Sequence, residues 1–180
     1  MSTKKPRLHA VFGSSSSPSG GFSEKAKLSK YATPWLSNLG DWDLSVTLTF
    51  SRNKAGAHPP ISSIQKCCRL FLSRLNRRIF TRNGVRRNDY RIASAAVIGT
   101  GAYGDHPHAH WVLACPKNMT KVIFANVVAE VARSTKGVGL QIDVQPYRDK
   151  GWLNYMIDHG FDGLIDQVCF PAKCLSHKIN

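Results

Sequence analysis

The sequence is short of acid. Eleven Asp and Glu residues stand against 25 Lys and Arg, a formal net charge of +14 over 180 residues. Only two of the acids are glutamates, Glu24 and Glu130. A chain this unbalanced suits a polyanion, most often nucleic acid. An anionic membrane surface is the weaker rival, because the basic helix described below has an apolar stripe typical of core packing. No G-x-x-x-x-G-K-[ST] loop is present, so NTP-driven chemistry is not supported. No apolar run approaches the roughly 20 residues of a membrane span. The basic N-terminus lacks the apolar stretch of a secretory signal. Five cysteines, Cys67, Cys68, Cys115, Cys169 and Cys174, are an odd number with two adjacent, unlike a secreted disulfide framework. Cys169-x4-Cys174-x2-His177 is a poor zinc half-site with no C-x-x-C to complete it. Buried or incidental thiols in a reducing, cytoplasmic setting are expected.

What is present is enough for one domain, or one domain with a tail. The hydrophobic fraction, 42%, supports a real core. Residues 1–33 carry Lys4, Lys5, Arg7, Lys25, Lys27 and Lys30 around the Ser-rich run Gly13 to Gly21. That composition buries too little apolar surface to offset its ordering entropy. A flexible basic arm is expected, followed by a folded domain over 34–180.

Residues 43–52 alternate Leu44, Val46, Leu48 and Phe50 with Ser45, Thr47 and Thr49, which predicts a strand with one buried face and one hydroxyl-bearing face suited to a polar cleft. Pro59-Pro60 then opens a helix with Ile61, Ile64, Cys68, Phe71, Leu72, Leu75 and Ile79 at helical spacing. Strands are expected over 90–99, 106–115 and 140–147, with a helix over about 120–134 and a short helix over 150–159. The order is β-α-β-β-α-β plus a terminal helix. That predicts an α+β, ferredoxin-like split βαβ fold, with an antiparallel sheet, strands one and three at its centre, helices on one face and the other face open. Residues 60–91 hold nine basic residues against one acid, Asp89. A charged helix face is usually only solvated. This one is lopsided enough to read as a phosphate-tracking surface, with Arg74, Arg77, Arg78, Arg82, Arg86 and Arg87 as the candidate DNA contacts.

Three of seven histidines fall in His106-Pro-His108-Ala-His110. On a strand these share one face, while Ala109, Trp111, Leu113 and Cys115 share the core face. Imidazoles at i and i+2 sit close enough to share a divalent metal. In Gly151-Trp-Leu-Asn-Tyr155-Met-Ile-Asp158-His159, Tyr155 shares a helical face with Asp158 and His159. A half-buried core aromatic is the commoner fate of such a Tyr, but the preceding strand would deliver this helix beside the sheet centre.

Val46-Thr-Leu-Thr-Phe50, then Pro107-His-Ala-His110 with Trp-Val-Leu, then Gln145-Pro-Tyr and Gly151-Trp-Leu-Asn-Tyr155 resemble the three ordered motifs of HUH endonucleases. The similarity covers residues 43 to about 165 and is greatest to the rolling-circle replication initiators of plasmids and phages. Conjugative relaxases usually place the tyrosine upstream of the histidines, and here it lies downstream. The resemblance implies a divalent metal, Mn²⁺ or Mg²⁺, on His108 and His110, polarising the scissile phosphate. It implies Tyr155 as covalent nucleophile on a single strand at a replication origin. A host helicase is an implied partner, since so short a chain has no motor of its own. Two positions depart from the family pattern. The usual acidic third ligand is absent, with Thr100, Gly101 and Ala102 in its place, and His159 is the preferred substitute, with Asp105 and His106 as alternatives. The lysine that often lies three residues after the tyrosine is Asp158. These departures fit either a divergent nicking enzyme or a nucleic-acid-binding module of the same fold that has lost catalysis. A single-strand transposase or mobilisation protein would use the same chemistry.

Overall fold

Period-two alternation forms β1, Leu44–Phe50, with Leu44, Val46, Leu48 and Phe50 buried on one side. In the computed structural model the described residues are 33, 34, 36–38, 40–87, 90–99, 106–159 and 163–164, with the backbone alone at 158, 159, 163 and 164. The basic arm expected over 1–33 lies outside them apart from Thr33. After β1 come α1 (Ile61–Arg87), β2 (Ser94–Gly99), β3 (His108–Leu113), α2 (Lys121–Ser134), β4 (Val138–Pro146), α3 (Lys150–His159) and β5 (Gly163–Leu164). The strand order is β4-β1-β3-β2-β5, and every neighbouring pair is antiparallel. The protein is therefore α+β, with β1 and β3 central, compatible with a ferredoxin-like arrangement. β5 was not foreseen, because two residues are too few for a periodic signal.

Local chemistry explains the element ends. The Pro60 carbonyl accepts the Ser63 and Ile64 amides at 2.8 and 3.1 Å and starts α1. The Thr120 hydroxyl accepts the Ile123 amide and caps α2. Gly137 turns the chain from α2 into β4 at φ +96°, where an L side chain is strained. At Gly139 a Cβ would meet the Thr49 hydroxyl at 2.7 Å, beside the register shift between β1 and β4. Both glycines serve the junction that brings β4 against β1.

α1 is two helical segments joined at Thr81, which has φ 63° and ψ 165°. A β-branched residue is rare there, and the conformation costs on the order of 1–3 kcal/mol. The Thr81 hydroxyl accepts the Gly84 amide at 3.3 Å and so caps the second segment.

Two hydrophobic clusters sandwich the sheet. The larger joins Ile64, Phe71 and Leu75 of α1 and Phe124 and Val128 of α2 to Val46, Leu48, Trp111 and Ile98 on one sheet face. Each such side chain contributes roughly 1.5–3 kcal/mol on burial. The smaller joins Leu153, Met156 and Ile157 of α3 to Ala95, Val97 and Val112 on the opposite face, with Leu36 and Trp42. The second face is thus not wholly open, contrary to expectation. The apolar stripe of α3 needs burial, and it covers the β2–β3 half. The β1–β4 half keeps Gln141, Asp143 and Gln145 exposed.

Candidate functional site

The pleat of β3 sends Ala109, Trp111 and Leu113 into the larger core. His108 and His110 therefore project from the other face, the face that carries α3. Register pairs His110 with Thr47 and His108 with Thr49. The Thr47 hydroxyl lies 3.0 Å from His110 Nδ1, and His110 is only 3% exposed. His108 Nδ1 lies 2.7 Å from the His106 carbonyl. A carbonyl only accepts, so Nδ1 donates its proton and Nε2 of the neutral ring keeps its lone pair. The two rings are 4.6 Å apart, centroid to centroid.

Asp149 sets the start of α3. Its carboxylate accepts the Gly151 amide at 2.7 Å, and its carbonyl accepts the Trp152 amide at 3.2 Å. Burial of Leu153, Met156 and Ile157 then turns Trp152 and Tyr155 towards the histidines. The Tyr155 ring lies 5.1 Å from that of His110, and the Trp152 ring 5.5 Å from it. Trp152 and Tyr155 stack at 5.4 Å with planes 28° apart. Tyr155 remains 42% exposed. The structure thus brings together His108, His110 and Tyr155, which the sequence had placed on separate elements.

An open groove of about 560 Å³ runs from Tyr155 and His110 across Thr47 to Asp143 of β4. Thr47 pairs with His110 on one side and Asp143 on the other, so the three form one transverse row. The Asp143 carboxylate accepts from the Gln145 side-chain Nε2 at 2.8 Å. Thr47 lies on the hydroxyl-bearing face expected to suit a polar cleft, whereas Asp143 was not singled out by sequence reasoning. The alternation Gln141, Asp143, Gln145 puts Asp143 on one face, but only the strand order shows that this face is the histidines' own. Trp152 was read only as part of a motif, although its spacing of three from Tyr155 was a usable signal.

Other expected residues fall elsewhere. His106 precedes β3 and packs edge-to-face on His58 at 5.7 Å. It lines a neighbouring depression that shares Thr49 and Gln141 with the groove. The side chains of His159 and Asp158, together with Thr100, Gly101, Ala102 and Asp105, lie outside the described residues. Among the described residues no group of three His, Cys, Asp or Glu gathers as a metal cluster. Two adjacent imidazoles stand at this place: His110 lines the groove but is nearly sealed with its Nδ1 on Thr47, and His108 beside it keeps Nε2 clear of the carbonyl bond. That donor set fits a divalent metal that completes its shell with water or phosphate oxygen.

The six candidate arginines, Arg74, Arg77, Arg78, Arg82, Arg86 and Arg87, belong to α1, whose first segment packs on the sheet face opposite the groove; Arg82, Arg86 and Arg87 follow the break at Thr81. Arg78 lies 3.7 Å from Glu130, and Arg74 donates to the Ser134 hydroxyl at 3.2 Å. Cys67, Cys68 and Cys115 are free thiols whose pKa values burial pushes up. Protonated and remote from the groove, Cys67 and Cys68 are packing residues rather than ligands.

No protein-family model matches the chain, and no significant match to it exists among curated proteins or solved structures.

Proposed function

We propose that the protein nicks and rejoins single-stranded DNA in a divalent-metal-dependent reaction, as an initiator of rolling-circle replication would. The observation that carries this reading is the convergence of His110 and Tyr155 on one open groove, with the Tyr155 ring 5.1 Å and the His108 ring 4.6 Å from His110. The strand order β4-β1-β3-β2 supports reading the fold as the split βαβ arrangement.

In this mechanism the groove takes an extended strand, and the Trp152–Tyr155 stack offers a base a π-face. His108 and His110 would hold the cation. When bound, it supplies charge neutralisation at the scissile phosphate. Thr47 fixes the ring of His110, and the His106 carbonyl fixes that of His108. Tyr155 attacks phosphorus through its phenolic oxygen. A P–O bond to the tyrosine forms and the P–O3′ bond breaks. The phenolic proton leaves to solvent, and the departing 3′-oxygen takes a proton from solvent to become a hydroxyl. One phosphodiester replaces another, so the step runs in both directions without NTP. Asp143 lies in the groove as an acceptor for protons or for base amino groups.

The decisive experiment is a covalent-adduct assay with labelled single-stranded oligonucleotides and Mn²⁺ on a denaturing gel. The wild type is expected to give a labelled protein band, and Tyr155→Phe none. A second reading, a binding module of this fold without catalysis, is favoured by the lack of a third clustered donor among the described residues. Oligonucleotide binding without any adduct would select it.

A further inference from the structure

The reaction described above uses the rings of His108 and His110 and leaves the ring of His106 without a part. His106 lines a depression of about 490 Å³ together with His58 and Arg52. The two imidazole rings pack edge-to-face at 5.7 Å. Each histidine precedes a proline, Pro107 or Pro59, which biases its backbone towards an extended conformation. Arg52 and His58 are joined by a closed turn. The Asn53 amide donates to the Ala57 carbonyl at 2.8 Å. The Asn53 carboxamide oxygen accepts the amides of Ala55 and Ala57, both at 2.9 Å. The turn therefore sets Arg52 and His58 at its two ends, on one depression.

The charge of this depression has one sign. Among the described residues Arg52 is the only formally charged side chain that lines it, and no carboxylate does. The groove is the reverse, with Asp143 as its only formally charged lining residue among those described. A strand in the groove meets a carboxylate there and needs cationic charge close by. The guanidinium offers a planar fork of N–H donors, and each neutral imidazole offers one more. The set disfavours a metal cation, because Arg52 repels it and no anionic ligand offsets that repulsion. It suits phosphate oxygens. The depression also runs on from the groove, since Thr49, Leu140 and Gln141 line both. Thr47 lines the groove and Ser51 the depression. Four residues of extended chain put them about 13 Å apart. A single strand covers that distance in no more than about four nucleotides.

We propose that Arg52, His58 and His106 form a phosphate subsite at the end of the groove, which holds a phosphodiester of the bound single strand other than the reacting one. The proposal rests on the reading of the groove as the path of a single strand. It gives the first of the three clustered histidines a task apart from metal binding. The ring of His106 takes substrate phosphate, while its carbonyl orients His108. Contact through the backbone alone makes the subsite indifferent to base sequence.

The test uses the full chain, a labelled oligothymidylate and inorganic phosphate, with no metal added, and reads fluorescence anisotropy. Arg52→Gln is compared with Lys54→Gln, which removes the same charge from the same turn without lining the depression. His58→Gln keeps the formal charge and removes a ring. Thermal melts check that all three variants fold. Arg52→Gln is expected to weaken oligothymidylate binding roughly tenfold and to lower the log–log salt slope by about 0.7. His58→Gln should weaken it roughly threefold. Lys54→Gln should stay within about twofold of the wild type. Inorganic phosphate should displace the oligonucleotide from the wild type better than chloride at equal ionic strength, and Arg52→Gln should lose that excess. The proposal is overturned if the wild type binds no oligothymidylate, if Lys54→Gln weakens binding as much as Arg52→Gln, or if neither Arg52→Gln nor His58→Gln weakens it. Phosphate binding that needs Arg52 while oligothymidylate affinity does not would assign the depression to free phosphate, and would also overturn it. A Tyr155 adduct in the wild type, with oligothymidylate affinity independent of Arg52, would remove the subsite and leave nicking standing. No adduct, with affinity still dependent on Arg52, would remove nicking and leave the subsite standing.

Discussion

His110 is the residue on which the groove turns. It is nearly sealed, and its Nδ1 faces the Thr47 hydroxyl at 3.0 Å. Removing that hydroxyl leaves a buried imidazole nitrogen without its partner, at a cost of roughly 1–3 kcal/mol. Thr47→Val should lower stability by that order in urea denaturation, and Thr47→Ser should recover most of it. Equal stability of Thr47→Val and the wild type would remove this bond from the account of how the ring is held. The histidine pair was legible because period two alone puts positions 108 and 110 on one face. The Thr47–His110 contact was not, because it depends on the register between β1 and β3, which no spacing within either strand encodes. Asp143 was hidden for the same reason, two strands away.

At the level of elements, most boundaries follow from apolar period and caps, and α3 spans the residues expected of it. Its role was less legible. The stripe Leu153, Met156, Ile157 announces a buried face without saying which sheet face receives it. The break in α1 was also unreadable, because Thr81 continues a helical pattern and nothing in its neighbours signals φ 63°. Thr81 combines backbone strain with a cap, and the two act in opposite directions. Glycine relieves the strain, on the order of 1–3 kcal/mol, and loses only a few tenths as a cap. Thr81→Gly should therefore raise the melting temperature. Thr81→Ala keeps the strain and gives up the hydroxyl bond to Gly84, so it should lower it. The same sign for both variants would show that Thr81 does not carry this balance.

For the whole molecule, the +14 charge pointed to a polyanion but not to where it would lie. Composition is blind to sides: among the described residues α1 alone carries eight basic residues and no acid, whereas Arg148 stands beside Tyr155. The division of the core has its own consequence. The tyrosine rides on the smaller cluster, and α1, α2 and the sheet interior share the larger one. A helix held by few apolar side chains opens at lower free energy than the body it rests on. Backbone amides of α3 should exchange with deuterium well before those of β1 and β3, and uniform protection across all three would contradict this. With Tyr147, Arg148 and Asp149 as its tether, α3 is expected to open from the sheet as one unit. Under the proposed reaction such an opening would carry Tyr155 off the histidines while the sheet stays folded, and would leave room for one joined strand to be exchanged for another.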